Sequence, residues 1–237
     1  MAKGTTIFER FKERRRVAGL DTEEKFSNPL DVRLGDVVSL DCLDWRDLDF
    51  QVSQFRVVTR LIGEKEFPFV DYYLFHRGIG DAEDEVRCVL RFIPLDEPDP
   101  AAGQTHTVYL LSLTQEFEHD DSVVEVLSQD AGYSYFTPAA NGAEDEWDQQ
   151  EFPTRVNDIS LAYDCEVDIV KDENHDGEVE DDEVESHKIT LWDFWRVISA
   201  EGGEDTTEYL FVQIDQEDGW TELFTGEEVD PAIVTKL

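Results

Sequence analysis

Short runs in which apolar and polar residues alternate recur along the chain from Asp31 to its end. A period of two puts successive side chains on opposite faces, so such runs fold as strands that cover at least one face. Glu85-Val-Arg-Cys-Val-Leu-Arg-Phe-Ile93 shows the pattern best: Val86, Cys88, Leu90 and Phe92 share one face, and Arg87 and Arg91 take the other. Arg33–Leu40, Phe50–Val58, Val70–Phe75, Thr107–Leu113, Ile159–Tyr163, Cys165–Val170, Lys188–Ile198 and Glu208–Ile214 read as further strands, rich in β-branched and aromatic residues. Asp218-Gly219, between Glu208–Ile214 and Trp220–Phe224, marks a hairpin turn. The expected fold is mainly β, made of antiparallel sheets.

One stretch departs from this pattern. Thr5 or Thr6 can cap a helix running to about Ala18, with Glu9 three residues after Thr6 and Ile7, Phe8, Phe11 and Ala18 near one face. Residues 1–16 hold six basic side chains against Glu9 and Glu13, so this short N-terminal amphipathic helix is basic. It suits packing on the acidic body, docking on a partner, or peripheral membrane contact through residues 5–18. The chain then divides into the 1–20 arm, a β-rich unit over 28–94, a linker over 95–150 with one strand and an acidic loop, and a second β-rich unit over 151–237. Within the linker, Phe117–Gln129 fits either a strand or a short helix, and Gly132–Trp147 reads as a long loop with room for one hairpin. Arg33–Leu40 echoes Arg155–Ala162, and Asp71–Phe75 echoes Glu208–Phe211, which suggests two related halves.

Charge narrows the function classes. Fifty-seven acidic and 20 basic residues give a net charge of −37. A field of that sign repels nucleic acid, so direct binding of DNA or RNA is not expected. It attracts cations, including a basic protein partner; it also suits a high-salt surface or mimicry of nucleic acid. With 40% hydrophobic and 11% aromatic residues the chain can bury a substantial core and is not a disordered polyanion. The first 20 residues lack the apolar stretch of a secretory signal, and a cytoplasmic location is expected. Cys42, Cys88 and Cys165 form no metal or redox spacing and read as small buried hydrophobes.

One motif is specific. Asp172-Glu-Asn-His-Asp-Gly-Glu-Val-Glu-Asp-Asp-Glu183 meets the calcium-loop template at every defined position. Calcium takes six to eight oxygens, and the template supplies them around one centre. Asp172, Asn174 and Asp176 offer side-chain oxygens, Glu178 a backbone carbonyl, Glu180 a direct or water-mediated contact, and Glu183 a closing carboxylate. Gly177 permits the sharp turn, and Val179 supplies the apolar anchor. An EF-hand has helices on both sides, whereas Cys165–Val170 alternates like a strand. The expectation is therefore a Ca2+-binding loop inside a β-hairpin, acting as a clamp and not as a helix-opening sensor.

No catalytic set stands out. The five histidines are scattered, and carboxylates are too numerous for any pair to be singled out as acid and base. His119-Asp120-Asp121 points to a metal only through its neighbours. Trp192, Phe194 and Trp195 with Trp220 and Phe224 suit core and rim, or alternatively the lining of a small-molecule or enzyme cleft.

Asn28-Pro-Leu-Asp-Val-Arg-Leu-Gly-Asp-Val-Val38, with Phe50-Gln-Val52 and Asp71-Tyr-Tyr-Leu74, resembles an uncharacterised bacterial domain family of small β-rich units that open on an L-x-x-G-D-x-V strand. Leu191–Arg196, Glu208–Phe211 and Trp220–Glu227 are similar to a second copy or an extension of it. The resemblance implies a non-enzymatic accessory protein, since relatives are often encoded beside membrane-remodelling proteins of the phage-shock type and polyamine enzymes; it carries over no catalytic residues. The combined expectation is a calcium-binding, β-rich adaptor for a basic protein partner in a membrane-stress or membrane-remodelling system. The alternatives are a small-molecule binder or enzyme built on Trp192–Trp220, and an acidic nucleic-acid mimic.

Overall fold

The computed structural model describes residues 34–42, 48–62, 65–76, 86–99, 104–129, 132–138, 147–155, 163–171, 184–199 and 205–237. The N-terminal helix expected over residues 5–18 lies outside them. Within them the protein is mainly β and antiparallel. Four long strands come first: β2 (Asp49–Ile62), β3 (Lys65–His76), β4 (Val86–Asp99) and β5 (Gln104–Glu118), preceded by the short β1 (Val37–Leu40). Helix α1 (Asp121–Gln129), a hairpin of β6 (Tyr133–Pro138) with β7 (Trp147–Phe152), and the two-residue β8 (Thr154–Arg155) follow. Four more long strands come next: β9 (Tyr163–Lys171), β10 (Val184–Ile198), β11 (Thr206–Asp215) and β12 (Trp220–Glu228). The three-residue β13 (Val234–Lys236) ends the chain's secondary structure.

The long strands close a ring. Pairing runs β2-β3-β4-β5-β12-β11-β10-β9, and β9 returns to β2 with Phe55 opposite Val170 and Arg60 opposite Cys165. Every junction is antiparallel, giving an eight-stranded barrel without a free edge between these strands. Each half, β2–β5 and β9–β12, is a four-stranded meander; first strand meets first strand, and last meets last. That is the arrangement of two like halves facing each other. The sequence echo of Asp71–Phe75 with Glu208–Phe211, however, links the second strand of one half to the third of the other, so it does not follow this correspondence.

Closure buries the inner faces of the strands, and added elements cover outer faces of both halves, which produces three cores. Inside the barrel lie Val58, Phe69, Val89, Leu111, Val167, Leu191, Phe211 and Phe224. Outside the first half, Phe50, Val57, Tyr72, Leu90 and Phe92 pack under β1 and the C-terminal Ile233 and Val234. Outside the second half, Trp192, Phe194, Val212 and Leu223 pack under Leu127 of α1 and Tyr135 and Phe152 of the β6–β7 hairpin. The stretch over 117–129 resolves as strand to Glu118 and helix from Asp121. Asp120 caps that helix, its carboxylate accepting from the Ser122 N–H at 2.8 Å, and this holds its pKa below the usual range. Val123, Val124 and Leu127 face the third core, and Arg155 donates to the Leu127 carbonyl near the helix end.

Geometry requires glycine at Gly219 and Gly226, among others. Gly219 closes the β11–β12 turn at φ +73°, a left-handed conformation that side chains disfavour. Gly226 lies where β12 meets β5, and a Cβ there would overlap the Leu110 carbonyl.

Candidate functional site

The face of β4 that the alternation left for arginine is not a solvent face. Arg91 is 1% exposed and points into the barrel, where both its Nε and Nη2 donate to Asp71 of β3 at 2.8 and 2.7 Å. Its guanidinium lies 4.8 Å from the Phe69 ring centre and 4.5 Å from that of Phe211. Burial works against its charge, but Asp71, together with Asp193 and Tyr73, more than offsets this, so its pKa is raised. Two further pairs cross the interior between strands that are not neighbours. Arg60 of β2 donates to Asp193 of β10 at 2.9 Å, and Arg56 of β2 donates to Glu222 of β12 at 3.0 Å. Gln213 of β11 also donates to Glu222, at 3.0 Å.

Above the Arg56–Glu222 pair the barrel opens into a cavity of about 410 Å3. Its polar wall is Gln54 and Arg56 on β2, Tyr73 on β3 and Glu222 on β12; Val89, Leu113 and Phe224 form the apolar wall. Arg87 and Glu116 stand at the mouth, 3.8 Å apart and about half exposed. Two β-bulges lie at this end, at Ser53 in β2 and at Thr114 in β5, where register slips against β3 and β12. Bulges twist strands locally and re-aim side chains, which opens a barrel end that side chains would otherwise fill. Tyr73 Oη, Gln54 Nε2 and Arg56 Nε are buried and have no protein hydrogen-bond partner. The Arg56 guanidinium covers the Tyr73 ring at 4.1 Å, and burial pushes the Tyr73 phenol well up, so it remains a protonated donor.

At the same barrel end β9 finishes and β10 and β12 begin. Lys171, the last residue of β9, pairs with Gln54 of the cavity wall, and Val184, the first of β10, pairs with Val170. The segments bounding the calcium-type loop are therefore paired strands, not helices. Asp172, Asn174, Asp176, Glu178, Glu180 and Glu183 themselves lie outside the described residues.

On β10 and the β11–β12 turn, His187, Asp215 and Asp218 place ligand-type atoms within 4.8 Å of one another. His187 Nδ1 lies 2.7 Å from Asp215 Oδ2, and Asp215 Oδ1 accepts from the Glu217 and Asp218 N–H groups at 2.9 and 3.0 Å. Burial pushes the Asp215 carboxyl up, but these hydrogen bonds outweigh it and hold the pKa below the usual range. An ionised carboxylate only accepts, so Nδ1–H of His187 is the donor. The group locks the β11–β12 turn, and a cation seated there would have to displace that hydrogen bond.

The aromatic cluster is not one cleft. Trp192 and Phe194 face the outer core, Phe224 faces the barrel interior, and Trp220 is 45% exposed at the start of β12. Trp195 lies on the strand face opposite Phe194. His119 stands beside Asp121 at 3.7 Å and Thr221 at 3.5 Å, while Asp120 is engaged as the helix cap. Sequence reading missed the cavity because its walls come from five strands spread over residues 53–224. The signal that could have found it was the arginines at Arg56, Arg60, Arg87 and Arg91, regularly placed on strands in a chain poor in basic residues.

The chain matches no protein-family model, no curated protein and no solved structure.

Proposed function

We propose that this protein is a non-enzymatic binding protein that takes a small polar molecule into the end of its β-barrel, and that Ca2+ at Asp172–Glu183 clamps the adjacent hairpin. The observation that carries this reading is the cavity over the Arg56–Glu222 pair, lined by the polar residues Gln54, Arg56, Tyr73 and Glu222 on one side and by Val89, Leu113 and Phe224 on the other. Eight-stranded barrels have room for one small ligand when side chains do not fill them. Ser53 and Cys88 are the serine and cysteine of the lining, and neither is activated. The Ser53 hydroxyl donates to the Tyr73 carbonyl at 3.3 Å, and burial raises the pKa of the Cys88 thiol.

The adaptor expectation rests on the charge of −37 and the basic 1–16 segment, and the cavity supplies a more specific function than charge alone. The calcium reading is supported by the template match and by strand pairing at Lys171 and Val184, which suits a hairpin clamp.

Ligand-detected NMR with the full chain against a mixed library of sugars, amino acids, nucleosides and fatty acids tests the cavity. Bound compounds should be lost on Leu113→Trp, which fills the apolar wall, and a library without a single binder would sink the reading. For calcium, calorimetry should give heat of binding and a raised melting temperature, both abolished by Asp172→Ala with Glu183→Ala.

A further inference from the structure

The geometry points to a site for a divalent transition ion of the Zn2+ class, held by His187 Nδ1, Asp215 Oδ2 and Asp218 Oδ2. It is independent of the cavity and of the oxygen-donor template at Asp172–Glu183. One ring nitrogen faces both carboxylates: Nδ1 lies 2.7 Å from Asp215 Oδ2 and 3.7 Å from Asp218 Oδ2. The three ligand atoms stand within 4.8 Å of one another. Tetrahedral Zn2+ holds nitrogen and oxygen ligands at about 2.0–2.2 Å, which sets neighbouring ligands about 3.4 Å apart. The observed 2.7 and 3.7 Å bracket that spacing, so shifts of less than about 1 Å seat the ion.

The surroundings of these atoms suit a metal better than the hydrogen bond alone. Nδ1–H can serve one carboxylate only, and Asp218 Oδ2 lies beyond its hydrogen-bond reach. The two carboxylates repel each other, and a dication between them neutralises both. Asp215 Oδ1 is held by the Glu217 and Asp218 N–H groups, which leaves Oδ2 as its metal-facing oxygen. On the far side of the ring, Glu185 Oε2 lies 3.8 Å from Nε2. A metal at Nδ1 takes the place of the proton there, and the ring then carries its proton on Nε2, facing Glu185. The His187 and Asp215 side chains are 11% and 13% exposed, whereas Asp218 is 61% exposed, so the fourth position opens to water. The imidazole decides the class of ion. Ca2+ and Mg2+ take oxygen ligands, whereas imidazole with carboxylates suits Zn2+ and its first-row neighbours. Seated there, the ion joins β10 to the β11–β12 turn.

The test is calorimetric titration of the full chain with Zn2+ in excess Ca2+, which fills sites made of oxygen alone. One Zn2+ should bind, and in imidazole 15N spectra His187 Nδ1 should shift while Nε2 keeps its proton. His187→Gln should abolish this binding. Asp218→Asn, at an exposed turn position that leaves the fold intact, should weaken it about tenfold or more. Glu185→Ala should weaken it about tenfold, as the loss of a partner behind a ligand does. Displacement of Zn2+ by Ca2+, an unmoved His187 resonance, or unchanged affinity in both His187→Gln and Asp218→Asn would overturn the inference. The variant Asp172→Ala with Glu183→Ala separates the two metals. Zn2+ binding kept there supports a site of its own, whereas its loss would assign the ion to the loop and overturn the inference.

Discussion

The inside of the barrel and the cores outside it bury the two faces of the same strands by different means. Inside, Asp71 and Arg91 form an ion pair at 0% and 1% side-chain exposure, with Arg60–Asp193 and Arg56–Glu222 beside it. Outside the second half, the charge pair Arg196–Glu208 stays at the margin, at 23% exposure for each partner, and Trp192, Phe194, Val212 and Leu223 form the core. The outer faces are covered by added elements, β1 and β13 on one side and α1 with the β6–β7 hairpin on the other, which supply apolar partners in place. The inner faces have only one another. Long side chains that reach across the ring fill its width, and Arg56 and Arg60 do so while tying β2 to strands that are not its neighbours. A buried charge removed from its partner is far more costly than the pair is stabilising, so the two kinds of core should fail differently.

The sharpest break should come from Asp71→Ala. It leaves the Arg91 charge buried without its bidentate partner and should cost about 3–5 kcal/mol in urea denaturation. The double variant Asp71→Leu with Arg91→Leu should recover most of that loss. A single variant that costs under about 1 kcal/mol would mean that water reaches the interior pair.

In the outer core, Leu127→Ala should cost about 2–3 kcal/mol, the low end for a buried leucine, because α1 can settle onto the gap. No second substitution in a neighbouring apolar residue should restore it.

Alkaline titration gives a smaller effect that bears on both regions. Burial raises the phenol pKa of Tyr73 inside and of Tyr133 and Tyr135 outside. A raised acid is fully stabilising below its unfolded pKa, about 10 for tyrosine, and that stability is lost as pH rises through the folded value. Unfolding followed by circular dichroism should therefore steepen above about pH 10, and Tyr73→Phe should reduce that steepness. The smallest change belongs to the cavity mouth. Arg87→Ala should alter stability by no more than about 0.5 kcal/mol, since its pair with Glu116 is half exposed and 3.8 Å apart.

Local chemistry was legible in the sequence. The alternation at Val86–Phe92 identified a strand and its two faces, Asp218-Gly219 identified a turn, and the alternation at Cys165–Val170 identified the strand that precedes the calcium-type template. Each depends on residues within about a dozen positions of one another, where backbone geometry and side-chain spacing are fixed by the sequence itself. The helix at Asp121–Gln129 was ambiguous because Val123, Val124 and Val126 suit either state; the Asp120 cap and the docking of Leu127 decided it.

What the arginine face of β4 looks onto was decided only by the tertiary structure. A period of two separates two faces, but it cannot say which one is wet, and ring closure between Phe55 and Val170 made the polar face an interior. The cavity follows from the same closure. Gln54, Tyr73 and Glu222 lie up to 168 residues apart, and no local spacing rule connects them; register across β2, β3 and β12 brings them to one barrel end.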